Sequence, residues 1–247
     1  MKIDKNSPFY KIPVNLEPKQ IAILNAIRYA TNLSFISWNQ LNTVLLQISK
    51  SKAIDEEKYY AFSYTWSIVD SLDRLNSLIS KFINGLNNPF DTVPNLRLLR
   101  NTLHHSYDRI DASLQIKYPI MGTLDWVYSE EYPLTMVYCY KLASGNAAAN
   151  FEYESINPVG KQITLPIGLV TLTSIIMDTS TKPSEPKPAS IDLSQLMMNV
   201  EAYIKNLEKN LQNELAGLGS SNNTELQDLL IGYEIHFDQS ANIQTLY

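Results

Sequence analysis

The spacing of apolar residues changes at Tyr118-Pro119, and that change constrains this chain more than any motif within it. Before it, apolar side chains return every three or four residues. After it, turns multiply and β-branched and aromatic residues gather in short runs. A period near 3.6 buries one face of a helix, and a period of two buries one face of a strand. The expected fold class is therefore α+β, helical first and sheet-forming later.

Pro18 sits where a first helical turn tolerates it. From there Ile21, Leu24, Ile27, Leu33, Ile36, Leu41, Val44, Leu45 and Ile48 keep helical spacing, with a break expected near Asn32-Leu33-Ser34. An acid-rich start at Asp55-Glu56-Glu57 opens a second helix carrying Phe62, Trp66, Val69, Leu72, Ile79 and Ile83. Pro94 restarts the chain into a third helix, from about Val93 to about Gln115, with Leu96, Leu99, Leu103, Ile110 and Leu114 as its apolar stripe. Three long helices joined by short polar connections predict an antiparallel bundle. Residues 1–16, with Pro8 and Pro13, read as an extended lead-in.

Leu124–Tyr128, Leu134–Leu142, Phe151–Ile156 and Ile163–Met177 read as strands of an inserted antiparallel sheet of three to five strands. Trp126, Tyr128, Tyr138, Tyr140 and Tyr153 suit cross-strand packing more than a binding face. Three prolines between Thr179 and Ala189 predict a loop or linker. Ser190 and Asp192 can then cap a returning helix whose stripe runs from Leu193 through Met197 to Leu211. The expected organisation is a helical core over 1–118, a β-rich region over 119–178, a Pro-rich loop over 179–189, and the returning helix with a tail over 190–247. A short helix near Leu226–Leu230 and a strand through Tyr233–Phe237, carrying His236, are expected in that tail.

With 247 residues, 45% of them hydrophobic, the chain can bury a sizeable core. A net charge of -5 leaves only Arg97, Arg100 and Arg109 as a local basic cluster for nucleic acid. The single cysteine, Cys139, lies among apolar neighbours and reads as a buried thiol in a reducing compartment. No signal core opens the chain, and the run from Ile163 to Met177 is too short to span a bilayer, so a cytoplasmic protein with no membrane partner is expected. Spacings for a metal site, a nucleotide-binding glycine loop and a serine elbow are not found, so no metal or cofactor is expected.

The third helix gathers the chemistry. Arg100 and His104 stand one turn apart, and Asn101, His105 and Asp108 form a neighbouring polar stripe. Cleaving RNA without a metal requires a base for the 2′-hydroxyl proton and a cation for charge developing on the phosphate. Histidine titrates near neutrality, and arginine grips phosphate through its planar fork. The same residues equally suit a structural role in which Arg100 pairs with Asp70 or Asp73 on the second helix.

Arg100-Asn101-Thr102-Leu103-His104-His105-Ser106-Tyr107 resembles the Arg-Asn-x3-His-x-Tyr signature of the HEPN superfamily of helical proteins, over eight of the 247 residues. That resemblance implies a HEPN-like bundle and a metal-independent endoribonuclease of toxin or defence type, with one composite site built at a homodimer interface. It implies Arg100, Asn101 and His105 as the catalytic set acting on RNA. It also implies an antitoxin or nucleotidyltransferase partner, with Tyr107 as a site for attachment of AMP. His104 stands where that family more often has a small residue, and His104 and Asp70 are the supporting residues expected around the set. The alternative is a non-catalytic HEPN-like binding or scaffold protein that pairs with itself or a partner through its helices.

Overall fold

The structure, a computed structural model, describes residues 3–13, 16–52, 55–82, 88–91, 93, 95–130, 136–144, 167–178, 184–216 and 223–225. Helix α1 (Pro18–Ser51) and helix α2 (Glu57–Phe82) form a hairpin. The break expected near Asn32 does not occur, because the polar groups there find partners without interrupting the helix. Ser34 Oγ donates to the Thr31 carbonyl at 2.7 Å, and Asn32 Oδ1 accepts the Ile3 amide at 3.1 Å. That second bond ties down the amino-terminal segment, where Ile3, Phe9 and Ile12 are buried in the core. Strand β1 (Lys11–Pro13) lies within it and pairs antiparallel with Asn223–Glu225 near the other end of the described chain.

The third helix differs most from its expected form. It runs as α3 only from Leu96 to His104, turns at His105-Ser106, passes through a short 3-10 turn (Tyr107–Arg109) and ends in α4 (Ile110–Gln115). Two causes act together. The run from His104 to Asp108 holds weak helix formers and turn-prone Ser and Asp, and α3 packs on α2 and the sheet while Ile110 and Leu114 meet little. Helical spacing marks a stripe; only an opposing surface can bury it.

Strands β2 (Thr123–Glu130), β3 (Met136–Ala143), β4 (Ile167–Asp178) and β5 (Glu185–Asp192) form a four-stranded antiparallel sheet in the order β3-β2-β4-β5. From Glu185 onward the segment expected as a proline-rich loop is therefore an edge strand. Pro186 and Pro188 stand opposite Met177 and Ile175 of β4. Proline has no ladder donor to give, which an edge strand tolerates and a central strand does not. The expected strand at Phe151–Ile156, the first residues of the run beginning at Ile163, Tyr153, and the tail's expected helix and strand with His236 lie outside the described residues.

Helix α5 (Leu193–Ala216) starts with the Gln195 amide bonded to Asp192 Oδ1 at 2.9 Å, so Asp192 is the cap. Ser190 instead contacts Thr173 Oγ1 across the sheet at 2.8 Å. α5 packs on β4 and buries Leu196, Met197, Val200 and Ile204, while Met198 is exposed. Trp126 stacks on Tyr140 and Tyr128 on Tyr138, with ring centroids 5.3 and 6.2 Å apart, so these aromatics pack across β2 and β3. The Trp126 indole also donates to Ser49 Oγ at 2.9 Å, fastening the end of α1 to the sheet. Helices and sheet thus share one hydrophobic cluster. Cys139 is half-buried rather than sealed, and among the described residues no helix is long and apolar enough to cross a membrane.

Candidate functional site

Residues three and four apart share a helix face, so α2 presents Asp70, Asp73 and Arg74 together. α3 crosses there and brings Arg100 and His104, one turn apart, against them. Asp70 is the hub. Its Oδ2 accepts from Arg74 Nη2 at 2.9 Å, while its Oδ1 lies 3.2 Å from His104 Nε2 and 3.5 Å from Arg100 Nε. Asp73 Oδ2 is 3.9 Å from the same arginine nitrogen. Two carboxylates face two guanidinium groups, so the charges of these four side chains balance.

Burial pushes the Asp70 carboxyl up, but the His104 hydrogen bond, the Arg74 charge and hydrogen bond, and the Arg100 contact outweigh it and hold the carboxyl below its ordinary value. An ionised carboxylate only accepts. The Asp70 carboxylate is therefore the acceptor in its contact with His104 Nε2. The pairing of Arg100 with Asp70 and Asp73, one of the two arrangements open to the sequence, is the one adopted.

Because the helix stops at His104, the other motif residues go elsewhere. His105 is the C-cap of α3, with its amide bonded to the Asn101 carbonyl at 2.9 Å. Its side chain is 58% exposed, and its Nδ1 lies 3.5 Å from Asp108 Oδ2. Asn101 is half-buried on α3. Tyr107 is 85% exposed. Leu114 and Ile110, expected in the apolar stripe, are 60% and 45% exposed. Arg100 and His104 are thus brought to Asp70, whereas His105 and Tyr107 face solvent and share no hydrogen bond or ion pair with Arg100 among the described residues. The basic cluster is dispersed as well. Arg97 is exposed, Arg100 is engaged, and Arg109 is half-buried with its Nε enclosed.

The Asp70–His104 pair also stands at the rim of a cleft of about 1050 Å³. Its lining includes Phe62 and Trp66 of α2, Leu103 of α3, Met121 and Leu142, together with Lys58, Tyr59, Ser63 and Ser67 of α2. The walls are held in place by polar bonds. Trp66 Nε1 donates to the Met121 carbonyl at 3.2 Å, the Met121 amide donates to Ser144 Oγ at 3.1 Å, and that hydroxyl contacts the Gly122 carbonyl at 3.1 Å.

No protein-family model, curated protein or solved structure matches this chain. The likeness to HEPN proteins accordingly rests on residues 100–107 alone. Among the described residues no three His, Cys, Asp or Glu side chains group as ligands for a metal ion.

Asp70 and His104, expected from the sequence as supporting residues, meet where α3 docks on α2. Nothing in the sequence marks the cleft, whose walls come from four separate stretches of chain. Lys58 carried no motif signal, and the helical spacing of Phe62 and Trp66 marked them only as core.

Proposed function

We propose that this chain is a non-catalytic binding or scaffold protein of HEPN-like type, acting through the outward face of its motif segment by pairing with a second copy or a partner. The observation that carries this reading is the state of Arg100. Its guanidinium lies against two carboxylates, Asp70 and Asp73. These carboxylates already balance the charges of Arg100 and Arg74, so a phosphate approaching Arg100 would meet no net positive charge, and the overall charge of -5 supplies none. The exposed side chains of Tyr107, Ile110 and Leu114 supply an aromatic and aliphatic surface of the kind used in protein contacts.

The endoribonuclease reading keeps one favourable observation, the solvent-exposed His105 beside Asp108. In that reading His105 is the base, Arg100 and Asn101 hold phosphate, and a homodimer completes the site. One experiment separates the two. Purified protein is incubated with structured and unstructured RNA in excess EDTA, and its mass is followed by light scattering over a concentration series. The binding reading expects concentration-dependent dimerisation or partner capture and intact RNA. Cleavage leaving a 2′,3′-cyclic phosphate, lost in His105→Ala with an unchanged melting temperature, would establish the enzyme instead.

A further inference from the structure

Helix α1 has two faces with different fates. One is buried against α2 and the sheet, and the other is exposed from Ala22 to Gln47. A solvated helix face ordinarily carries charge, as α5 does with its exposed Lys205 and Lys209. The outward face of α1 carries none. Between Lys19 and Lys50 the one charged residue is Arg28, which is 2% exposed and has its guanidinium 4.3 Å from the Tyr10 ring centroid. The exposed positions are Ala22, Tyr29, Leu33 and Ile36 in the first half of the helix, then Asn39, Gln40, Thr43 and Gln47. They follow one another at helical spacing and so form one continuous ridge. Leu33 and Ile36, 51% and 52% exposed, stand at its middle.

Composition decides what covers such a ridge. An anionic membrane surface selects lysines and arginines beside an apolar helix face, and nucleic acid selects them along the whole contact. This ridge offers neither. A two-fold contact sets a face against itself, so any charge on it lies close to its own like. A face without charge, aliphatic at its middle and amide-bearing toward its end, is complementary to itself, because each amide carries both donors and an acceptor. Charge appears only at the margins and in both signs. Lys19 and Lys50 stand at the two ends, Glu57 of α2 accepts from Gln47 Nε2 at 2.9 Å, and Asp4 and Lys5 follow the Ile3 amide that Asn32 holds. At about 1.5 Å per residue the ridge is roughly 38 Å long, and a helix width of about 10 Å gives about 400 Å² per copy. That is about half of what each partner buries in a standard interface, which sets the contact among the weak and reversible ones.

We infer that the outward face of α1 is an interface between two copies of this chain, centred on Leu33 and Ile36 and separate from any pairing of the motif segment. The test is sedimentation velocity of the full chain over about 1–200 µM, carried out in the Ile110→Asp, Leu114→Asp background so that pairing through the motif segment does not contribute. The expected result is a monomer–dimer equilibrium that stops at two. The same series on the wild-type chain reports the motif segment separately. Ile36→Lys sets like charges together at the middle of the ridge whether the two helices run parallel or antiparallel, and moves the association midpoint at least about tenfold higher in concentration. Ile36→Glu does the same, and an equimolar mixture of the two variants restores the dimer because opposite charges then meet. Gln40→Lys repeats the loss without removing an apolar side chain, and melting curves verify that every variant folds. A monomer throughout the range overturns the inference, as does a dimer that Ile36→Lys leaves unchanged or a mixture that fails to associate. A monomer that instead sediments with vesicles of phosphatidylcholine and phosphatidylserine assigns the face to a lipid surface and equally overturns it.

Discussion

Asp70 on α2 and His104 at the last turn of α3 meet at 3.2 Å although 34 positions separate them in the chain. The Asp70 carboxyl is held below its ordinary value in the folded protein. Its contribution to stability is therefore fully present above the ordinary carboxylate range and lost as pH falls through the folded value. Asp70→Asn is expected to cost about 1–2 kcal/mol at pH 7, the loss of charge-assisted bonds at a partly exposed site. That cost should shrink as pH falls through the folded value of the carboxyl, where the wild type loses the same charge. Urea unfolding at pH 7 and along an acid series checks it, and a cost that does not change with pH would mean the charge is not what matters.

Asp125 behaves in the opposite sense. Burial pushes its carboxyl up, and Lys141 at 3.3 Å together with Thr123 only partly offsets the effect. A raised value in the folded state makes the protein most stable below the ordinary carboxylate range, with stability falling as pH rises from there through the folded value. Asp125→Asn should therefore compare more favourably with wild type at pH 7 than at pH 4. The same unfolding series reads this, and the reverse trend would contradict it.

Gly122 has φ +84°, and a Cβ there would meet the Thr173 carbonyl oxygen of the neighbouring strand well inside contact distance. Left-handed strain and backbone collision act together at this position. Gly122→Ala is expected to cost at least about 2 kcal/mol in chemical denaturation.

Trp126 is fully buried and its indole donates to Ser49 Oγ at 2.9 Å. Trp126→Phe removes that donor and should cost about 1–3 kcal/mol, and Ser49→Ala about 1 kcal/mol. The double variant should cost less than the two together by at least about 0.5 kcal/mol, because both remove the same bond. Strict additivity in the cycle would mean that the bond does not fasten α1 to the sheet.

Ile110 and Leu114 lie on the exposed side of α4. If the motif segment pairs, the double substitution Ile110→Asp and Leu114→Asp in the Ile36→Lys background should make the protein monomeric at all concentrations accessible to light scattering. Its melting midpoint should move little, since exposed positions contribute within about 0.5 kcal/mol. A large fall in that midpoint would show that these side chains stabilise the monomer instead.

What the sequence determined by itself is local. The apolar periods of α1, α2 and α5 and the β-branched and aromatic runs of β2 through β4 place those elements closely, because both signals are carried by neighbouring residues along the chain. The same periodicity could not show what each stripe meets. Leu99 finds α2 and the sheet and is buried, whereas Ile110 and Leu114 continue the stripe and meet little that covers them, and the motif helix ends at His104. Pro186 and Pro188 read as a loop until the sheet offers an edge, where a missing N–H costs nothing. Ile175 stands opposite Pro188 and beyond the last residue paired with β2, and its carbonyl takes the Thr102 hydroxyl as its donor. The Asp70 hub and the cleft likewise join stretches far apart in the chain. Such convergence is decided by how the elements pack, and no spacing within a single element records it.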